Sequence, residues 1–345
     1  MSASDRQLLK VLRGERTHQT PVWMMRQAGR HLPEYRELRT KTRDFLDFCY
    51  SPSLAAEATL QPVRRYGMDG AILFADILLI LDAMGRNVRF LEGEGPRVDP
   101  ATKASELAGV PAETIARRLS PVGETVSRVR AALPDETTLI GFAGAPWTVA
   151  VYAIEGKGGG DKSAARRFGY ARPDQLQGML DQLVEATAHY LVMQAQAGAD
   201  ALMLFDSWAE GLPEDAFGRW VIEPTAALVA RVRELGVTVP ILGFPRGSGG
   251  MLPEYVERAG VDAVGLDTAI PCVWANSILP RGFPVQGNLD PLRLAEGGPD
   301  LEVRVRDILE SFEGRPHIFN LGHGVIPETP IANVERVLAV IRETA

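Results

Sequence analysis

Thiols are nearly absent: 345 residues hold only Cys49 and Cys272, and neither sits in a CxxC pair or near a histidine at zinc-ligand spacing. The sequence therefore offers no thiolate metal site, and both cysteines read as structural. Nucleotide fingerprints are missing too. No GxGxxG follows an apolar run, and Gly156-Lys157-Gly158-Gly159-Gly160 lacks the spacing and the Ser/Thr of a P-loop, so it reads as a mobile loop. Excess positive charge is absent. A formal charge of −7 and a pI near 5.4 argue against general nucleic-acid binding, so an anionic ligand has to be met by a local basic cleft. Long apolar runs are lacking as well: the most apolar stretch, Ala71 to Met84, is broken by Asp76 and Asp82, and MSASDRQLLKVLRGERTH has no apolar signal core. The expectation is a cytoplasmic protein without a membrane span. Lysine is scarce, with five lysines against 32 arginines, so one arginine taken singly says little.

What is present is alternation. With 46% hydrophobic residues and no repeat, composition alone accommodates one large α/β domain or two. Eight short β-type runs recur, each followed by polar or glycine residues and a helical pattern: 21–25, 70–74, 138–143, 201–205, 240–244, 263–266, 284–287 and 317–321. Eight βα units predict a (β/α)8 TIM barrel with elaborated βα loops, a single domain over residues 1–345, in preference to a doubly wound sheet. Ser51-Pro52 offers a cap and first-turn proline for a helix through Tyr66, and Pro173 opens a long helix closed by Gly198. In that helix Leu176, Leu180, Leu183, Val184, Thr187 and Leu191 form the core stripe, which puts Glu185 and His189 off it. The long connection after the second run holds an excursion at Val88 to Val98.

In a barrel the reactive groups follow the strands. Those positions hold Arg26 and Gln27, Asp76, Tyr152, Asp206 and Ser207, Arg246, Asp267, Asn288 and His323. Most polar loop residues taken singly are only that; the joint placement carries the argument. The first run ends in PVWMMRQAGRHLPEYRELR, where Arg26 and Arg30 flank a small, flexible Gln27-Ala28-Gly29, a pattern suited to clamping a carboxylate or phosphate. His323 stands between two glycines and reads as an exposed ligand contact.

MRQAGR followed by LPEY, FADIL around Asp76, GAPWT followed by Tyr152 and EGKGG, LFDSWAE around Ser207, QGNLDP and NLGHG around His323 together resemble the uroporphyrinogen decarboxylase family. The resemblance spans nearly the whole chain, with MRQAGR and GAPWT the most specific motifs. One departure is Asp267-Thr268-Ala269, where the family often has a tryptophan soon after the aspartate.

The resemblance implies removal of CO2 from the four acetate side chains of uroporphyrinogen III, giving coproporphyrinogen III, without metal or organic cofactor. It further implies a catalytic Asp76 that accepts pyrrole N–H groups and favours a cationic intermediate. Arg26 and Arg30 would hold carboxylates, Arg26 would also deliver the proton, and Tyr152, Ser207 and His323 would complete the substrate contacts, His323 by pairing with a carboxylate, with Gln27 beside them as a backbone or side-chain contact. A homodimer is the expected assembly, with no nucleic-acid or membrane partner. Two rivals are a methyltransferase with a zinc–thiol site, which the isolated cysteines disfavour, and a silent tetrapyrrole carrier, which Asp76 beside the arginine pair disfavours.

Overall fold

A computed structural model of the chain describes residues 6–91 and 93–343. Nine strands are present among the described residues: β1 (Gly70–Ile72), β2 (Arg89–Leu91), β3 (Gly95–Arg97), β4 (Thr138–Gly144), β5 (Ala201–Asp206), β6 (Ile241–Pro245), β7 (Ala263–Gly265), β8 (Val285–Gln286) and β9 (His317–Ile318). Seven form one parallel sheet in the order β1-β4-β5-β6-β7-β8-β9, so each strand pairs with the next one along the chain apart from the excursion. That excursion is the antiparallel hairpin β2–β3. Every residue of β4 and β6 is buried, which is why these runs read as continuously apolar and not as alternating: helices cover the outer face and side chains fill the inner one.

The first expected strand, residues 21–25, differs. It contributes one parallel bridge, Val22 to Phe319, and is not a regular ladder strand. The reason is where its donors go. Pro21 has none, Val22 N–H donates to Asp69 Oδ2 (2.8 Å), Met24 N–H to Gln27 Oε1 (3.0 Å) and Met25 N–H to Asn320 Oδ1 (2.9 Å), so side chains take the places of neighbouring backbone carbonyls. The segment still touches both sheet edges: Phe319 N–H donates to Pro21 O and Asp69 N–H to Val22 O, each at 2.9 Å.

The helix Pro52–Tyr66 begins at the expected proline and ends at Gly67 in the left-handed region (φ +62°). Ser51 occupies the cap position without capping; its hydroxyl donates instead to Asp47 O (2.6 Å). In the helix Pro173–Gln196 the expected stripe is buried apart from Val184, which is half-buried, while His189 lies outside it, 3.0 Å from Glu185, which Arg231 grips with two nitrogens. The glycine-rich loop expected to be mobile is tied down. Lys162 Nζ donates to Gly159 O (2.5 Å) and Gly160 O (2.8 Å) and sits 3.6 Å above the Trp208 ring. Both cysteines are buried and unpaired, and Cys272 Sγ donates to Asn288 Oδ1 (3.0 Å). The buried apolar side chains make one continuous cluster from Leu8 to Ile341. Among the described residues no helix is long and apolar enough to cross a membrane, and no group of three His, Cys, Asp or Glu side chains is arranged to hold a metal.

Candidate active site

The turn after residues 21–25 is built by Gln27. Its amide is buried, with Oε1 accepting from Met24 N–H (3.0 Å) and Nε2 donating to Gly70 O at the start of β1 (2.9 Å). Both ends of the side chain are therefore spent inside the fold, which leaves its backbone as the part of Gln27 that can meet a substrate. What Gln27 secures is the conformation of its neighbour. Arg26 has φ +60°, a left-handed geometry that costs a non-glycine residue roughly 1–3 kcal/mol and persists only where surroundings impose it. The exposed Arg26 side chain is laid over Gly324: a Cβ there would lie 2.6 Å from Arg26 Cγ and 3.0 Å from Nε. Val325 N–H to Met25 O (2.8 Å) locks the two segments together.

Asp76 follows β1. Its Oδ1 accepts from Leu78 N–H (2.8 Å), a local turn that leads into the helix Leu79–Ala83, while no described protein donor reaches Oδ2. Nearby Phe74 stacks in an aromatic group with Phe48 (4.5 Å between centroids) and Tyr35 (5.6 Å). Burial raises the Asp76 carboxyl above the ordinary range, opposed by the Leu78 N–H and by the positive charge of Arg26.

Tyr152 lies on the helix Pro146–Glu155, half-buried, with its ring 5.9 Å from that of Trp208; burial raises its phenol, and the charges of Asp76 and Arg26 both reach it. Ser207, also half-buried, follows β5 in a segment pinned by Thr148. The Thr148 hydroxyl donates to Asp206 Oδ1 and accepts from Trp208 N–H (3.0 Å), while Trp147 Nε1 donates to Trp208 O (2.9 Å). Asp206 itself is buried with Oδ2 unpartnered, and burial pushes its carboxyl up to about 7.

His323 is half-buried, not exposed as its glycine neighbours suggest. Burial first, then the charges of Arg26 and Arg246, push its imidazole down to about 4. Both effects favour the neutral ring in the unliganded protein. Arg26 thus acts on Asp76, Tyr152 and His323 together, whereas Arg30, exposed on the same turn, acts on Tyr35. Two other strand-end residues are structural. Asp267 accepts from Gly247 N–H (2.7 Å) and Ala269 N–H (2.8 Å), and Asn288 Nδ2 donates to the carbonyls of Asp267 and Ile270 (2.7 Å each).

Residues 3–344 match the family model described as uroporphyrinogen decarboxylase (URO-D). The chain belongs to the uroporphyrinogen decarboxylase family. Over 342 residues, 99% of both chains, it is 65% identical to the uroporphyrinogen decarboxylase of Hyphomonas neptunium, and 54% identical over the same coverage to that of Rhizorhabdus wittichii. Among solved structures, a methyltransferase from Methanosarcina mazei superposes with a TM-score of 0.82 at 21% identity, covering 98% of each chain, a likeness of fold alone. Within the family framework, the residues that residue type and position failed to flag are Glu210 and Thr268, which share a cavity with Arg246 and His323. Each is an ordinary polar loop residue in sequence, and only the meeting of loops after β5, β6 and β7 with residues 322–323 brings them together.

Proposed function

We propose that this protein removes CO2 from the four acetate side chains of uroporphyrinogen III, leaving methyl groups and giving coproporphyrinogen III. The observation that carries the reading is Asp76, an under-partnered carboxylate at the sheet's mouth under the influence of the same guanidinium that acts on Tyr152 and His323. Decarboxylation needs a place for the electron pair left when C–C breaks. A pyrrole supplies it once a proton adds to the ring carbon beside the acetate-bearing one. The carbon–carboxylate pair then flows into the cationic ring, CO2 leaves, a second proton converts the exocyclic methylene to methyl, and the ring proton is lost; one proton is consumed per CO2.

In this reading Oδ2 of Asp76 accepts pyrrole N–H groups, and its charge stabilises the ring cation. Arg26 and Arg30 hold carboxylates, and Arg26 delivers the proton. A guanidinium with a pKa above ~12 is a weak acid, so cation stabilisation by Asp76 has to offset part of that cost. Tyr152 and Ser207 contribute hydroxyl groups, and His323 a neutral ring N–H. Gln27 acts by holding Arg26 in its turn. The same reading takes residues 1–345 as one domain, a closed (β/α)8 barrel with 21–25 as the eighth strand, supported by that segment's bonds to Phe319 and Asp69. It also takes the enzyme as a cytoplasmic homodimer that needs no metal or organic cofactor.

The test is to incubate exhaustively chelated protein anaerobically with uroporphyrinogen III. Four equivalents of CO2 and coproporphyrinogen are expected. Tight binding without CO2 would make the chain a carrier, and activity lost on chelation but restored by zinc would defeat the cofactor-free reading.

A further inference from the structure

We propose that Arg246 binds one carboxylate arm of the substrate, in competition with Glu210, which occupies it in the free protein. The inference rests on the decarboxylase reading and extends it to a residue outside the expected set. A cavity of about 230 Å³ is lined by Arg246, Glu210, Gly247, Thr268 and His323 among others. That far exceeds the roughly 30 Å³ one water takes in the liquid, and suits a short carboxyalkyl arm. Arg246 is positioned by its backbone, whose N–H donates to Asp206 O (3.1 Å) at the end of β5.

Its side chain is under-used. Nη1 alone is engaged, 3.3 Å from Ser207 O and 3.1 Å from Glu210 Oε2. Among the described residues no protein acceptor takes Nε or Nη2, so two of the three nitrogens remain for a carboxylate. The pairing with Glu210 is ionic contact without an aligned hydrogen bond, and both side chains are about a third to a half exposed (32% and 46%), which makes it weak and displaceable.

The cavity's other groups favour the same occupant. Asp267 does not compete for Arg246, because both its oxygens accept backbone N–H groups. Lys162, which is outside the cavity lining, is held by two carbonyls and the Trp208 ring. His323, kept neutral, offers a ring N–H to an anion lying against Arg246. Among the described residues that line the cavity, Glu210 is then the negative charge that an incoming carboxylate has to displace from Arg246. Arg246 also ties this cavity to the catalytic group, since its side chain donates to the carbonyl of Ser207 and its charge reaches His323.

Opposite signs are the expected result. Arg246→Gln should raise KM about tenfold or more, the loss of charge-assisted hydrogen bonds, with kcat changed less than KM. Glu210→Gln, nearly isosteric and half-exposed, should lower KM, and its gain should vanish in the Arg246→Gln background. Dissociation constants for uroporphyrin and coproporphyrin, the non-reacting oxidised forms, identify the arm. Weakening of both by Arg246→Gln assigns a propionate, and weakening of uroporphyrin alone assigns an acetate. KM moving in the same direction in both single variants would mean a merely structural ion pair and overturn the proposal, as would unchanged KM and affinities. Wild-type protein that fails to release CO2 would instead defeat the decarboxylase reading itself.

Discussion

Replacing Asp76 by asparagine separates catalysis from architecture. The amide preserves the shape and leaves an oxygen to accept from Leu78 N–H, so the turn at the end of β1 keeps that 2.8 Å hydrogen bond. What disappears is the charge and the second acceptor, the part that no described protein donor uses. One preorganised electrostatic contact to a developing charge is typically worth ~10²–10³ in rate, and a loss of that size is expected in single-turnover decarboxylation. Stability should move the other way. Burial has raised the carboxyl above its ordinary value, so the folded state disfavours ionisation relative to the unfolded chain. As pH rises from the unfolded carboxyl's pKa through the higher folded one, the unfolded state gains by ionising first, and the cost is complete once the folded carboxyl has ionised. The Asn variant should therefore melt at the wild-type temperature or above. Asp76→Glu retains the charge but displaces it by a methylene; it should exceed the Asn variant if charge dominates and fall below it if placement does. Rapid-quench single turnovers and thermal melts on all three proteins decide the matter. A near-normal rate in the Asn variant, or rate and melting temperature falling together, would reduce Asp76 to a turn residue.

Three further outcomes are expected. His323→Gln should keep partial activity with an unaltered shape of the kcat/KM profile between pH 6 and 8, because the free-enzyme imidazole, at about 4, does not titrate there; a wild-type inflection near 6.5 that the variant lacks would contradict this. Gly324→Ala adds a methyl 2.6 Å from Arg26 Cγ, so Arg26 must shift; kcat/KM should fall roughly tenfold, with overpacking costing about 1–3 kcal/mol or less because the arginine is exposed. Unchanged kcat/KM would show that the Arg26 pose is unimportant. Asp206→Asn should be more stable than wild type above pH 7 by up to about 4 kcal/mol, from roughly three pKa units between about 7 and the ordinary value, shrinking as pH falls toward 4. Urea denaturation at pH 8, 6 and 4.5 measures it, and a pH-independent difference would refute the buried-charge argument.

Alternation of short apolar runs with helical patterns was enough to place six of the eight strands within a residue or two at both ends, and the start of a seventh, 317–321, whose ladder stops at Ile318, because parallel strands buried on both faces announce themselves by composition. The site motifs were legible for a related reason. A carboxylate after an apolar strand, or two arginines around a glycine, is a local departure from what packing alone asks for. The eighth run was less faithful, since Asp69, Gln27 and Asn320 replace backbone ladder partners, and side-chain partners 3 to 295 residues away leave no periodicity. The same limit hid the division of labour among the strand ends. Asp206, Asp267, Asn288 and Gln27 look as reactive in sequence as Asp76, yet their polar atoms are largely committed to Thr148, to backbone N–H groups and to carbonyls across the sheet. Asp76 and Asp206 each keep an oxygen to spare, but Asp206 is buried, whereas Asp76 is half-buried and under the charge of Arg26. His323 likewise carries no mark of its neutrality, which arises from burial and from the positive charges of Arg26 and Arg246. Residue type and local order determined the chemistry on offer; tertiary packing decided which groups are spent on the fold and which remain for substrate, because hydrogen-bond saturation and desolvation are properties of neighbours in space.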